Sequence, residues 1–348
     1  MFIRRTWAMA VGCLLLGTAA AATIATIDEG PVAGRPSLAI GADGLPVIAY
    51  QTLTNRLRVA RCLDIDCAAS TAIDIGDPPS GMTTALHTAI AIAADGYPAI
   101  AFKDVVDNQL KLVKCTNIDC SGGSYVFRTI DPGPHDVGAY VSMAFDADGK
   151  AAFVYQDFND QSLKLARCLN AGCGNVDLQV LDDSTATYGE YASIATDAAG
   201  ELAVSQHWTN SAGDGAIKFM RCSGSPCSGT WEQLYYVSGH PVGSALSMAL
   251  RADGRPVIAY QKELTTVGGG RALYVAECGD PDCHQANLRA LDLQPGLDTG
   301  EDVSIAIGAD GGTLIAYFDQ SALKLKVAKC NAQGCFGPGD RLFADGFD

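Results

Sequence analysis

The chain has 348 residues, 48% of them hydrophobic and 18% charged, with Asp plus Glu at 39 against 24 Lys plus Arg and a formal net charge of −15. So high an apolar fraction with so little charge excludes an intrinsically disordered chain. The acidic balance, with no Lys/Arg cluster to offset it, argues against a nucleic-acid partner.

Residues Met1–Ala22 read as a secretory signal peptide. Arg4 and Arg5 form its basic start, and Ala8–Ala21 is apolar but too short for an ordinary membrane-spanning helix. A lipoprotein cleavage before Cys13 fits less well, because Leu14–Leu16 continue the apolar run after that cysteine. No later stretch is apolar enough to span a bilayer. The mature chain is therefore expected to be secreted or periplasmic, with no membrane span.

From residue 23 onward one unit recurs six times. Its start reads Ser37-Leu38-Ala39-Ile40, then Thr88-Ala89-Ile90-Ala91, Ser142-Met143-Ala144-Phe145, Ser193-Ile194-Ala195-Thr196, Ser247-Met248-Ala249-Leu250 and Ser304-Ile305-Ala306-Ile307. A turn follows each start, usually Asp-Gly as at Asp43-Gly44, with Ala199-Gly200 in copy four. Asp-Gly between short β-prone runs signals a hairpin, because glycine takes positive φ without a Cβ clash. A second apolar run begins at Pro46, Pro98 or Pro256 in three copies, where a missing N–H is tolerated. A third run, such as Leu57–Arg61, ends at a cysteine. A fourth closes the unit, as in Tyr125–Ile130 or Asp177–Leu181. Four strands in 51 to 57 residues is the size of a propeller blade. The predicted fold is all-β, a six-bladed β-propeller of four-stranded blades over residues 23–337, followed by a C-terminal tail, 338–348. The sixth copy lacks a fourth strand of the common kind. Thr23–Asp28 is expected to supply it and close the ring, in preference to Arg341-Leu342-Phe343.

Apart from Cys13 there are twelve cysteines, two per copy and always C-x4-C. The pairs are Cys62 with Cys67, Cys115 with Cys120, Cys168 with Cys173, Cys222 with Cys227, Cys278 with Cys283 and Cys330 with Cys335. In an exported chain these are expected to be six local disulfides, each stapling the loop between third and fourth strands. The chain-entropy model gives such small loops about 2 kcal/mol each. Zinc would need four converging ligands, and a ring holds these pairs apart.

In such a ring the loops joining blades share a face with the loops joining strands two and three, while the hairpin turns and cystine loops occupy the other. The first face is variable and rich in polar and aromatic groups. It carries Asp131, His135, Asp136 and Tyr140 in one inter-blade loop and Asp182, Asp183, Tyr188, Glu190 and Tyr191 in the next. Four histidines, His87, His135, His207 and His240, map there. The end of strand two suggests a crown of Gln51, Lys103, Gln156, Gln206, Gln261 and Phe318, suited to a hydroxyl-rich ligand or a cation. At the positions that follow, Asp104, Asp157 and Asp319 are expected to cap their own turns. Copy four breaks the pattern most, with Ser205 for the usual aromatic and then Gln206-His207-Trp208. A Trp beside Gln and His suits stacking on a sugar ring.

The unit Ser37–Gln51 followed by Leu57–Cys62 resembles the repeats of secreted bacterial β-propellers, broadly the six-bladed sialidase-like class, over residues 23–335 and at the level of architecture. The sialidase Asp-box, Ser-x-Asp-x-Gly-x-Thr-Trp, is absent. The three arginines with which such a site grips a carboxylate have few counterparts: Arg35, Arg56 and Arg271 on this face, with Arg61, Arg167 and Arg221 beside cysteines on the other. The ending Arg341–Asp348 is similar to the short tails of many secreted proteobacterial proteins.

The sequence thus favours a monomeric, disulfide-stapled binding module for carbohydrate or for a cell-surface or protein partner. The expected ligand-binding residues are Gln51, Lys103, Gln156, Tyr191, Gln206, His207, Trp208 and Gln261. No cofactor is implied, although calcium could sit in a carboxylate crown. The alternative is a glycan hydrolase or lyase using Asp157, Glu190 or Glu263 with His207. A third reading is a pure interaction scaffold.

Overall fold

In the computed structural model the described residues are 23–335, apart from 29–31, 54–55, 76–84, 105, 122–124, 135, 184–189, 198, 210–214, 238–241, 265–268, 295 and 333. The expected leader, the tail with Arg341-Leu342-Phe343, and His135, Tyr188 and His240 lie outside them.

Strand β1 (Thr23–Asp28) stands apart from the first blade. Blade I comprises β2 (Val32–Ile40), β3 (Pro46–Thr52), β4 (Leu57–Cys62) and β5 (Ser70–Asp74). Blade II is β6 (Ala85–Ile92), β7 (Pro98–Asp104), β8 (Gln109–Cys115) and β9 (Tyr125–Asp131). Blade III is β10 (Val137–Phe145), β11 (Ala151–Asp157), β12 (Ser162–Cys168) and β13 (Val176–Asp182). Blade IV is β14 (Ser193–Thr196), β15 (Leu202–Thr209), β16 (Gly215–Arg221) and β17 (Glu232–Val237). Blade V is β18 (Val242–Leu250), β19 (Pro256–Glu263), β20 (Arg271–Cys278) and β21 (Ala286–Asp292). Blade VI joins β22 (Glu301–Ile307), β23 (Thr313–Asp319) and β24 (Lys324–Lys329) to β1, which pairs antiparallel with β24 from Thr23↔Lys329 to Asp28↔Leu325. The N-terminal strand therefore closes the ring, and the described residues contain no helix.

The core is divided. Six apolar clusters sit one between each adjacent pair of blades; Val47, Val59 and Ile75 of blade I, for example, pack with Ile100, Phe102 and Val113 of blade II. Strand two of each blade is buried on both faces, which is why it reads as a continuous apolar run rather than an alternating one. All six hairpin glycines, Gly44 to Gly311, have φ between 73° and 83°. Gly200 keeps that geometry, so Ala199 in place of Asp is tolerated.

The six expected disulfides are all formed. Cys62 is bonded to Cys67, Cys115 to Cys120, Cys168 to Cys173, Cys222 to Cys227, Cys278 to Cys283 and Cys330 to Cys335, with Cα atoms 4.7 to 5.0 Å apart. Four of the second cysteines, Cys67, Cys120, Cys173 and Cys283, are left-handed, with φ between 51° and 57°. Each of these donates its N–H three residues back, to Asp64, Asn117, Asn170 and Asp280 respectively, which turns the loop towards strand four. Cys227 and Cys335 close their loops without that φ. Four of the cystines pack into inter-blade clusters; Cys335 is half-buried and the other eleven cysteines are buried. The bridges are therefore staples within single blades, remote from the axis.

Polar bonds stitch the wedges together at two radii. Around the axis, the serine opening strand one accepts the backbone N–H of the next blade. Ile90 donates to Ser37 at 2.8 Å, Ile194 to Ser142 at 3.1 Å, Met248 to Ser193 at 3.0 Å, Ile305 to Ser247 at 3.3 Å and Leu38 to Ser304 at 2.7 Å. The register corrects one expectation here. Ala89, not Thr88, is the counterpart of Ser37, because Ala89 pairs with Ala101 as Ser37 pairs with Ala49. The belt therefore has no serine in blade II.

Further out, a carboxylate ending strand four latches onto strand two of the next blade. The hydroxyls of Tyr50, Tyr155 and Tyr317 donate to Asp28, Asp131 and Asp292 at 2.8, 2.8 and 2.7 Å. Arg58, Lys164 and Lys326 add the opposite charge to the same carboxylates. Burial alone would raise the Asp131 carboxyl, but the bonds from Lys164 and Tyr155 outweigh it and hold the group below its ordinary value. Between blades I and II the pair is apolar, with Ile75 and Phe102 in one cluster.

On the cystine face, the residue before the first cysteine ties its own turn to the next blade's cystine loop. Arg61 pairs with Asp43 and Asp119, and Lys329 with Asp310 and Asp66. Blade V reverses the charges, with Glu277 at this position paired to Arg251.

The I–II interface supplies a natural control for the latch. Tyr155→Phe or Asp131→Ile alone should cost about 2 kcal/mol, because each strands a buried partner. The double variant, which copies Ile75 and Phe102, should recover at least half of the summed loss. Chemical denaturation of the four proteins checks this, and strictly additive losses would show that the two groups do not act as a pair.

Candidate functional site

The innermost strand of five blades carries a β-bulge just before the serine belt, with register shifts at Gly34/Ser37, Leu86/Ala89, Ala139/Ser142, Ser244/Ser247 and Glu301/Ser304. His87, Tyr140, Tyr191, Ala245 and Asp302 occupy equivalent places, two residues before Ala89, Ser142, Ser193, Ser247 and Ser304. All five are left-handed, with φ between 49° and 55°. Arg35 has the same sequence place in blade I. A non-glycine residue pays for this conformation in strain, and a bulge redirects the side chain out of the sheet alternation. Gly138, two residues before Tyr140, fixes the approach: at φ 91° a Cβ there would come 3.0 Å from the Cα of Leu110 in the preceding blade.

The five side chains line a shallow, open bowl on the axis, with Pro36, Thr88, Val141 and Ala192 among the other residues around it. Below it lies the serine belt, which lines a second, polar cavity in the channel. One wall is an arc of rings. His87 stacks on Tyr140 at 4.2 Å and 25°, Tyr140 meets Tyr191 at 4.5 Å, and Tyr191 meets His207 at 6.1 Å. The arc stops at Ala245, whose methyl leaves room between Tyr191 and Asp302. Burial pushes the Tyr191 hydroxyl well above its ordinary pKa, helped by Tyr140 and the Asp302 charge. Burial also raises the neighbouring Glu190 carboxyl.

Of the residues expected from sequence, the structure brings Tyr191 and His207 together at this wall. Gln51, Gln156, Gln206 and Gln261 are 2%, 3%, 0% and 2% exposed and so form no open crown. Gln261 donates to the Thr299 carbonyl in the crossover to blade VI at 3.0 Å. Lys103 pairs with Asp136 in the crossover to blade III. The register in blade IV is one residue away from the alignment that the sequence suggests. Gln206 pairs with Lys218 as Tyr155 pairs with Lys164, so Gln206 holds the tyrosine place and His207 the glutamine place. Gln206 accordingly makes the latch bond, donating to Asp182 at 2.7 Å. Trp208 is half-buried, with the Lys218 ammonium 5.0 Å from its ring centre. Asp104, Asp157 and Asp319 cap their own turns, accepting from Val106, Asn159 and Ala322.

Sequence reasoning misses His87, Tyr140 and Asp302 as a set. The available signal is the column two residues before the belt serine, which varies from copy to copy inside an otherwise repeated strand. Among the described residues one cluster, Asp280, Asp282 and His284, could hold a cation; it lies on the cystine face, away from the bowl.

No protein-family model matches the chain, and no curated protein matches it in sequence. Solved structures do match in fold. A protein of unknown function from Dyadobacter fermentans superposes with a TM-score of 0.66 at 13% identity, over 90% of this chain and 98% of that one. A Hadza microbial sialidase gives 0.59 at 15%, over 86% and 65%. The leech intramolecular trans-sialidase gives 0.57 at 11%, over 90% and 70%. The chain is thus a six-bladed propeller with sialidase-like structural neighbours.

Burial lowers the His207 imidazole to about 4, against 6.5 in an open chain. The folded protein therefore refuses a proton that the unfolded chain takes up. The stability associated with neutral His207 is complete above pH 6.5 and lost as pH falls from there to about 4, a difference approaching roughly 3 kcal/mol. His207→Gln, which restores the residue found in blades I, III and V, should flatten that part of the pH–stability curve. Denaturation midpoints at pH 7 and pH 4.5 check it; parallel losses in both proteins would contradict it.

Proposed function

We propose that the protein is a ligand-binding propeller working outside the cytoplasm, that its site is the axial bowl, and that its ligand is a carbohydrate or a similarly hydroxyl-rich small molecule. One observation carries this reading: five blades each place a strained, left-handed, non-glycine residue at the edge of one bowl, where a purely structural channel needs none. The residues delivered are an imidazole, two phenols and a carboxylate. These bind hydroxyl-rich rings through edges and short polar contacts. The leech trans-sialidase was crystallised with 2,7-anhydro-Neu5Ac, which supports a sugar ligand for the architecture. Six local disulfides support an oxidising compartment, secreted or periplasmic. No helix of the described residues is long and apolar enough to cross a membrane.

A second reading, glycan hydrolysis or lysis, draws on Glu190, whose burial favours the protonated form that a general acid needs. Asp157 serves it poorly, being fully buried and facing Lys164 at 3.5 Å. Turnover of chromogenic glycosides, lost in Glu190→Gln, would establish this reading over simple binding.

Ala245→Tyr tests the location without deleting any polar group. Tyrosine already stands at the same left-handed place in blades III and IV, so the variant should fold. On a glycan array the wild type should show a response, and the variant should lose it by about tenfold or more as the ring fills the gap beside Asp302. An undiminished response would move the site away from the axis, towards Trp208.

A further inference from the structure

We infer that the wedge between blades IV and V holds a second binding site, at its outer end, and that the ligand of this site is a small phenol. The site is separate from the axial bowl and does not depend on it.

A cavity in this wedge is lined by Ile217 and Leu234 of blade IV and by Ile258, Cys283, Ala286 and Leu288 of blade V. No lining side chain is charged or carries a hydroxyl or amide. Ala286 is exposed and Leu288 half-buried, so the cavity opens to solvent beside them. Both cysteines of blades I, II, III and IV pack into the apolar cluster of their wedge, whereas the IV–V cluster includes neither Cys278 nor Cys283. The cavity is the space left between that bridge and the cluster.

The other blades show what belongs there. The residue that pairs with the first cysteine is Ser70 in blade I, Tyr125 in blade II, Val176 in blade III and Ala286 in blade V. Ser70 bonds to the Ile27 carbonyl of β1. Val176 packs against the II–III cluster. Tyr125 packs its ring against the I–II cluster and donates its hydroxyl to the Cys120 carbonyl at 3.0 Å. Ala286 supplies only a methyl group, and an apolar space left by a missing side chain takes apolar guests.

The carbonyl of the second cysteine adds a polar requirement. The Cys227 and Cys335 carbonyls accept from Gln179 and Arg289, on strand four of the preceding blade, at 2.7 and 2.9 Å. Ahead of blade V that place belongs to Glu232, which pairs with Phe219 as Gln179 pairs with Leu165 and Arg289 with Val275. A carboxylate only accepts, so Glu232 cannot serve the Cys283 carbonyl. That carbonyl takes no backbone hydrogen bond among the described residues either. The site therefore calls for one apolar ring with one hydroxyl donor, which is what Tyr125 supplies to blade II from within the chain. A sugar, polar around its whole edge, fits apolar walls badly.

Nuclear magnetic resonance of the methyl- and carbonyl-labelled full chain tests this, with 4-methylphenol, the side-chain analogue of tyrosine, and toluene, which lacks the hydroxyl. 4-Methylphenol should bind saturably and shift the methyl resonances of Ile217, Leu234, Ile258 and Leu288 together with the Cys283 carbonyl. Toluene should leave that carbonyl in place. Ala286→Tyr copies blade II and Ala286→Val copies blade III; each fills the space and should weaken 4-methylphenol binding by about tenfold or more. Both should fold, since the position is exposed. Methyl resonances unmoved by 4-methylphenol overturn the inference. So does a Cys283 carbonyl that stays in place while the methyls respond, or undiminished binding in both variants. The bowl reading survives each of these outcomes, because its residues line a different cavity.

Discussion

Each blade is a four-stranded sheet that buries nothing by itself, so the molecule depends on every blade being covered on both faces by neighbours. That condition is met only by a closed ring. The six apolar clusters are all inter-blade wedges, and none lies within a single blade. An open chain of six blades would expose two of these faces. Closure covers them, and the short strand β1 completes blade VI and places Ile27 in the wedge between blades VI and I. The serine belt and the carboxylate latches then make the wedges specific. They repeat around the ring with one handedness, always from one blade to the next.

Local exceptions obey the same constraint. Where Asp and Tyr are absent, at blades I and II, Ile75 and Phe102 replace them together. Where Tyr is absent, in blade IV, Gln206 reaches Asp182 with an amide instead of a hydroxyl. Where the basic residue before the cysteine becomes Glu277, Arg251 appears across from it. In each exception the two sides of the wedge change together or the partner is still reached, which matters more than the identity of either residue.

Much of the architecture is legible in the chain. The blade count follows from the repeat, the disulfides from C-x4-C, and ring closure by Thr23–Asp28 from a sixth copy lacking its last strand. The candidate site is far less legible, for a geometric reason. Side chains alternate along a strand with a period of two, so an error of one residue moves a side chain to the opposite face. Aligning copy four by Ser205-Gln206-His207, or copy two by Thr88, is wrong by one residue in each case, and both errors change which residues belong to one ring. Counting from the hairpin glycine removes the first: six residues separate Gly149 from Tyr155, and six separate Gly200 from Gln206. The bulges are a deeper obstacle. They break the alternation at the start of strand one without any fixed residue type to announce them, so His87, Tyr140 and Asp302 look like ordinary loop polarity. Gln261, at least in blade V, has structural work, holding the next crossover.

Native-state hydrogen exchange tests the closure claim most directly. The amides of Leu38, Ile90, Ile194, Met248 and Ile305 all donate into the serine belt, one in each of five blades. Ile27→Asp places an unpaired charge in the wedge that β1 seals. If the ring is one cooperative unit, protection at all five amides falls by a common factor in this variant. Loss confined to Leu38 and Ile305, with Ile90, Ile194 and Met248 as protected as before, would show that the blades stand without closure.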